Sequence, residues 1–273
     1  MKRHTVPVLV AALTLLTFIS GLAQFTPDEL GRRLFWEKFL EGAKFTKAEK
    51  IGEGVTHPRK IWLKKGEVEA IAVWKRPSET GAGHFDRWEH EIAAYRLDKL
   101  LGLGLVPPTV QRSYHGYAGS LQLWVDLSFN ELGLQRDRVE VPADKGEAYD
   151  RVRSLQKAWD SLIANADRTL QNLRYTQDWR LILIDHSQSF RDMYPYTGRL
   201  LFDRGNDPSH QGFSRLPRWF VAKLKTLDHA KVRNAVEDYL TSSAIDALLE
   251  RRDLILREVE ALIKDKGENL VLY

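Results

Sequence analysis

The sequence predicts an α+β fold in two lobes: a small, strand-rich N-terminal lobe carrying one key helix, and a larger, mainly helical C-terminal lobe. Three observations carry this. Short apolar segments broken by Gly52, Gly54 and Gly66 fill residues 50–75. One amphipathic helical pattern follows, in "HFDRWEHEIAAYRLDKLLGLG". Beyond Asp126 the periodicity is mostly helical. The chain has 273 residues, 43% of them hydrophobic, with eight Trp. That is enough apolar surface for two packed lobes with a cleft between them.

Taken in order, the chain opens with "MKRHTVPVLVAALTLLTFISGLAQ". A basic start, a short apolar run from about Val6 to Ile19, and Gly21 and Ala23 at the −3 and −1 positions of a cut before Gln24 predict a signal peptide over residues 1–23. The rival is an uncleaved anchor. The run is short for a span and holds Thr14 and Thr17. The expected protein is therefore secreted or periplasmic, with no stable membrane span once the signal is removed. Cysteine is absent. Its absence excludes disulfides, thiol chemistry, lipoprotein attachment and Cys-based zinc sites. The net charge of +4 makes no electrostatic case for nucleic acid.

"TPDELGRRLFWEKFLEGA" reads as an N-terminal helix over residues 24–42, with Thr26 as cap and Pro27 at the first helical position. The expected N-terminal lobe runs over 43–126. Residues 50–75 read as hairpin strands. In the helix that follows, Phe85, Trp88, Ile92 and Tyr95 keep helical spacing and Gly102 ends it. "LVPPTVQ" is extended because of its prolines, and "SLQLWVD" is a further strand. The C-terminal lobe, 127–273, holds helices at about 147–164, 216–242 and 243–264. The basic-aromatic segment 213–225 reads as an amphipathic lobe helix.

The candidate chemistry lies along this frame. Lys75 ends the strand "AIAVWK" beside the glycine-bearing loop "IGEGVTHP". Gly52 and Gly54 would let backbone N–H groups approach a phosphate, and Lys75 would reach it. Glu91 on the next helix is placed to pair with Lys75, with Glu89 as its rival. "SLIANADRTLQN" then sets Asn165, Asp167, Arg168 and Asn172 together. "LRYTQDWRLILI" reads as a hairpin around "TQD", so its two ends meet. That brings Asn172 and Asp185 to one rim with Asp167 nearby. Asn and Asp oxygens suit Mg²⁺ or Mn²⁺ bridging nucleotide phosphates. Asp167 is left to orient or deprotonate an attacking hydroxyl. His186 has no second His at zinc spacing and reads as local packing or a hydrogen bond.

The pattern D-R-x-x-x-N followed by I-D resembles the catalytic and metal-binding segments of atypical kinases, including phosphatidylinositol 3- and 4-kinases and HipA-type toxin kinases. "EIAAYRLDKLLGLGLVPPTVQR", residues 91–112, is similar to the helix and strand of the secretory-pathway kinases, the Golgi casein kinase and xylosylkinase group. The resemblance covers about residues 50–190. It implies a two-lobed kinase-like fold, ATP and Mg²⁺ or Mn²⁺ as cofactors, and a hydroxyl acceptor on a protein, glycan or lipid. It pairs Glu91 with Lys75, maps the Asp of the D-R motif onto Asp167, and assigns metal to Asn172 and Asp185; together with the loop reading, Gly52, Gly54, Lys75 and Asn172 are the residues expected around the nucleotide. Two departures stand out: His186 and Ser187 where typical kinases have Phe and Gly, and a shorter chain without the disulfides of its animal relatives. The alternatives are a secreted pseudokinase serving as nucleotide-binding scaffold, and AMP transfer from the same fold.

Overall fold

A computed structural model of the chain describes residues 25–52, 58–77, 80–81, 84–125, 129–202 and 212–273. The expected signal peptide and Gly54 lie outside the described residues. The predicted N-terminal helix is two helices, α1 (Pro27–Gly31) and α2 (Arg33–Gly42), broken at Arg32. Thr26 and Glu29 form a reciprocal capping box that starts α1.

The N-terminal lobe is a five-stranded antiparallel sheet. Its strands are β1 (Lys44–Lys50), β2 (Arg59–Lys65), β3 (Val68–Lys75), β6 (Thr109–Tyr114) and β7 (Tyr117–Leu123), in the order β1-β2-β3-β7-β6. The two-residue strands β4 (Thr80–Gly81) and β5 (His84–Phe85) pair beside it. The helix α3 (Trp88–Leu101) ends at Gly102, whose φ of +74° closes a left-handed cap. One apolar cluster fills this lobe, with Phe39 and Leu40 of α2 packed on Ile61, Leu63, Ala72 and Leu121 of the sheet.

The C-terminal lobe begins with β8 (Phe129–Asn130) and α4 (Glu131–Arg136), then α5 (Gly146–Ile163). The predicted hairpin is present as β9 (Leu173–Tyr175) and β10 (Leu181–Leu183), with β8 added to its edge. The expected helix over 216–242 is divided into α6 (Arg218–Lys225) and α7 (His229–Val236). Asp228 makes the division by capping α7, accepting from Lys231 N at 2.8 Å. The long helix α8 (Ser242–Lys266) and short α9 (Glu268–Val271) complete the chain. The segment 213–225 is in part an amphipathic helix, with Phe220, Val221 and Leu224 of α6 buried.

A second, larger cluster runs through α5, α6 and α8. Ala93, Ala94, Tyr95, Leu97 and Leu101 of α3 belong to it. The helix between the lobes is therefore anchored in the lower core, while Glu91 near its start meets Lys75 of the upper sheet. The expected two-lobed α+β architecture is the one observed.

Candidate functional site

Lys75 sits at the last position of β3, opposite Ser120 of β7. Its Nζ donates to Glu91 Oε1 at 2.7 Å and to Asp185 Oδ1 at 2.7 Å. Of the two rival glutamates, Glu91 meets the lysine. Glu89 lies 3.9 Å from Arg87 and its side chain is 27% exposed, whereas that of Glu91 is 1% exposed. The second oxygen of Glu91 accepts from the backbone N–H of His186 at 3.1 Å. One carboxylate thus joins a lysine of the upper lobe to the segment after β10.

Burial alone would drive Lys75 toward neutrality, but Asp185 and Glu91 outweigh it and hold the ammonium above the usual lysine range. Burial likewise opposes the charge on Glu91. The Lys75 ammonium and the contacts with His186 prevail and keep it below the usual carboxylate range. Burial pushes His186 down, so the imidazole is neutral. Its ring nitrogens have no hydrogen-bond partner among the described residues. His186 thus meets Glu91 through its backbone N–H at 3.1 Å, with its ring Nδ1 at 3.7 Å from the same carboxylate.

The hairpin places the proposed metal ligands. Leu173 pairs with Leu183, and Ile184 N donates to Asn172 O at 3.3 Å. Asn172 and Asp185 therefore flank the same end of β9–β10. Asp185 takes φ of +62°, a left-handed conformation that Asp tolerates better than most side chains. The loop before the hairpin is fixed from beneath. Asn165 Oδ1 accepts from Asp167 N at 3.3 Å. Arg168 clasps both oxygens of Asp160 at 2.9–3.2 Å and donates to Ile184 O at 2.6 Å. Asp167 is left exposed beside this clasp. Partial desolvation, then the carboxylates of Asp185 and Asp86, raise its pKa above the usual aspartate value.

These polar residues of the "SLIANADRTLQN" stretch thus divide the work. Asn165 and Arg168 hold the loop, and Asp167 and Asn172 are presented by it. The sequence reading missed Asp160 and Asp86. Asp160 lies among the buried residues of α5, and an acid on an apolar helical face is itself a sign of a paired charge. Asp86 is 7% exposed and accepts from Ser187 Oγ at 2.7 Å. Of the two glycines, Gly52 follows β1 at an exposed position where an added Cβ would meet nothing within 4 Å.

A cavity of about 200 Å³ opens between the lobes at this point. Ile51, Val73, Lys75 and Gln122 line it from above, Arg174, Ile184 and Asp185 from below, and Leu123–Val125 at the rear. Two cavities of about 450 Å³ lie behind α3 and beside the N-terminal helices, and neither is lined by Lys75 or Asp185. The donor set fits a hard divalent cation only in part. Among the described residues no group of three or more His, Cys, Asp or Glu side chains could hold a metal ion. One carboxylate and one amide oxygen from Asp185 and Asn172 match the sparse protein ligation of a Mg²⁺ that takes its other ligands from phosphates and water.

No protein-family model and no curated protein matches the chain. Solved structures do. The hydra Fam20 structure with sugar matches with a TM-score of 0.62 at 19% identity, covering 91% of this chain and 93% of that one. The Golgi casein kinase matches with a TM-score of 0.62 at 15% identity, covering 91% and 80%, and so does its structure with Mn/ADP bound. At these identities the likeness shows the fold. The chain has the two-lobed kinase-like fold of the Fam20 and Golgi casein kinase structures, the fold that the resemblance of residues 91–112 implies.

Proposed function

We propose that the chain is an exported phosphotransferase that moves the terminal phosphoryl group of ATP, with Mg²⁺ or Mn²⁺, to a hydroxyl on a protein or glycan. The observation that carries this is Lys75 held at 2.7 Å by both Glu91 and Asp185, on the wall of a cavity shared by the lobes. The Mn/ADP bound to the Golgi casein kinase supports the nucleotide and metal, and the sugar with hydra Fam20 supports a glycan acceptor. The N-terminal apolar run and the Golgi name of that neighbour support export. Among the described residues no helix is long and apolar enough to cross a membrane.

In this reading Glu91 fixes the lysine so that its ammonium aligns the nucleotide phosphates. Asp185 and Asn172 would hold the divalent ion, which offsets phosphate charge when bound. Asp167, outside the Lys75 cluster and raised in pKa, takes the proton of the acceptor hydroxyl or orients it. Arg168 keeps Asp167 in register with Asp185, because it bonds the carbonyl of Ile184 immediately before it.

Asp185→Ala should abolish metal-dependent ATP binding in calorimetric titration. Asp167→Ala should leave binding nearly intact and slow turnover by roughly 10²–10⁴-fold, the scale of a positioned acid or base. Equal loss of ATP binding in both variants would refute this division of roles. No effect of either would leave the scaffold reading.

A further inference from the structure

Gln122 stands one residue before the end of β7, directly opposite Val73 of β3 and Thr109 of β6. Directly paired residues share a sheet face, so its side chain lies on the face that carries Val73 and Lys75. It is 7% exposed and lines the interlobe cavity. A buried amide at the wall of a small cavity needs its orientation explained.

The neighbouring threonine sets that orientation. Thr109 Oγ1 lies 2.8 Å from Pro107 O, and a carbonyl only accepts, so the single hydroxyl hydrogen is directed there. Toward Gln122 the threonine therefore offers a lone pair. It receives the amide N–H, with Nε2 at 2.9 Å. The carbonyl Oε1 is consequently turned away from Thr109. No described residue donates to it, and it is absent from the sealed polar atoms of the interior, so it opens on the cavity. Lys75 lies two residues from Val73 along β3, about 7 Å at the rise of a strand. The acceptor thus sits at the end of the cavity away from the phosphate-side lysine.

We infer that Gln122 selects the base. Its Oε1 accepts a hydrogen bond from the exocyclic 6-amino group of adenine, and a 6-oxo purine, which presents an acceptor at the same position, is turned away. This rests on the nucleotide-binding reading above. Rotating the amide to suit a 6-oxo group would set Oε1 against the Thr109 lone pair and break the bond to Pro107 or leave it unmatched. Thr109 is thus the positioning residue and Gln122 the reader. Arg174 lines the cavity from the lower lobe, and as a cation it favours a 6-oxo base over a 6-amino one. Gln122, fixed by its bond to Thr109, outweighs it.

The test is calorimetric titration of the full chain in MnCl₂ with ATP and with inosine triphosphate, which differ in the base at position 6 and the adjacent ring nitrogen. ATP should bind about 10–100-fold more tightly, the range for a buried acceptor facing an acceptor instead of a donor. Gln122→Met should bring the two nucleotides within about threefold. Thr109→Val, which frees the amide to turn, should do the same, while Thr109→Ser keeps the discrimination. Circular dichroism identifies folded variants. Equal or tighter binding of inosine triphosphate by the wild type overturns the inference, as does an unchanged ratio in folded Gln122→Met. Binding of neither nucleotide by the wild type overturns the nucleotide-binding reading itself.

Discussion

The buried pair Arg168–Asp160 separates stability from site geometry, and Arg168→Met is the perturbation that shows it. The Arg168 side chain is 4% exposed and that of Asp160 0%. Removing the guanidinium strands a carboxylate in the interior, with Gln156 Nε2 as a remaining donor. Breaking a buried pair by one partner costs about 3–5 kcal/mol. The carbonyl of Ile184 loses its 2.6 Å donor in the same step, which argues for the upper half of that range. Urea unfolding followed by tryptophan fluorescence measures the loss. The double variant Asp160→Leu/Arg168→Met removes both charges, and such apolar replacements are often neutral or stabilising. It should return to within about 1 kcal/mol of wild type, or exceed it. Its ATP affinity and turnover should not return, because the Arg168 tie from the Asp167 loop to the Ile184 carbonyl is then lost, leaving the 3.3 Å backbone bond from Ile184 N to Asn172 O. A single-variant cost below about 1 kcal/mol, or a double variant that regains both stability and ATP binding, would refute this account of Arg168.

Lys75→Met should destabilise the fold at neutral pH by leaving Glu91 buried without its cation, and the deficit should shrink on acidification as Glu91 takes a proton; parallel urea titrations at pH 7 and 4.5 check it, and a pH-independent deficit counts against it. The wild type should show the opposite sign for this group, since the depressed Glu91 pKa lends stability that is lost only as pH falls below the ordinary carboxylate value. His90 is pushed down to about 4, chiefly by burial and then by Arg87, while its Nδ1 meets Ser187 O at 3.1 Å. Between pH 6.5 and 4 the unfolded chain takes up a proton that folded His90 refuses, so stability should fall with pH by about 3 kcal/mol from this residue. His90→Gln should flatten that slope, and identical slopes would refute it. Gly119→Ala would place its Cβ 2.5 Å from the Lys75 carbonyl and 2.8 Å from the Trp74 ring. It should cost on the order of 1–3 kcal/mol in unfolding and weaken ATP binding by displacing Lys75; full retention of both would count against it.

The parts of the fold legible in the sequence are those with strong local signals. The spacing of α3 and its closing Gly102 give its end to within a residue. The turn between β9 and β10 announces the hairpin that sets Asn172 beside Asp185. What was not legible depends on distant partners. β1 reads "KFTKAEK", with Phe45 and Ala48 only half-buried, and its strand character comes from pairing with β2. The role of Arg168 is invisible locally, because its partners Asp160 and Ile184 lie 8 and 16 positions away. The order Lys75, Glu91, Asp185 gives the membership of the cluster. That Lys75 bonds both acids at once follows only from the closure of the two lobes.

Asp98 lies on α3 two turns beyond Glu91. It accepts from Arg33 at 2.6 Å and from the backbone N–H groups of Leu105 and Val106, and its carboxylate is wholly enclosed. The helix that aims Glu91 is thereby splinted to α2 by a buried ion pair, and Lys99 of the same helix adds a second, more exposed one to Glu37 at 2.7 Å. A chain beginning at Lys44 would retain the site residues described here yet leave Asp98 without its cation in the interior. For anyone trimming this protein, the minimal working unit includes α2, and residues far from the cleft set how stiffly the cleft is held.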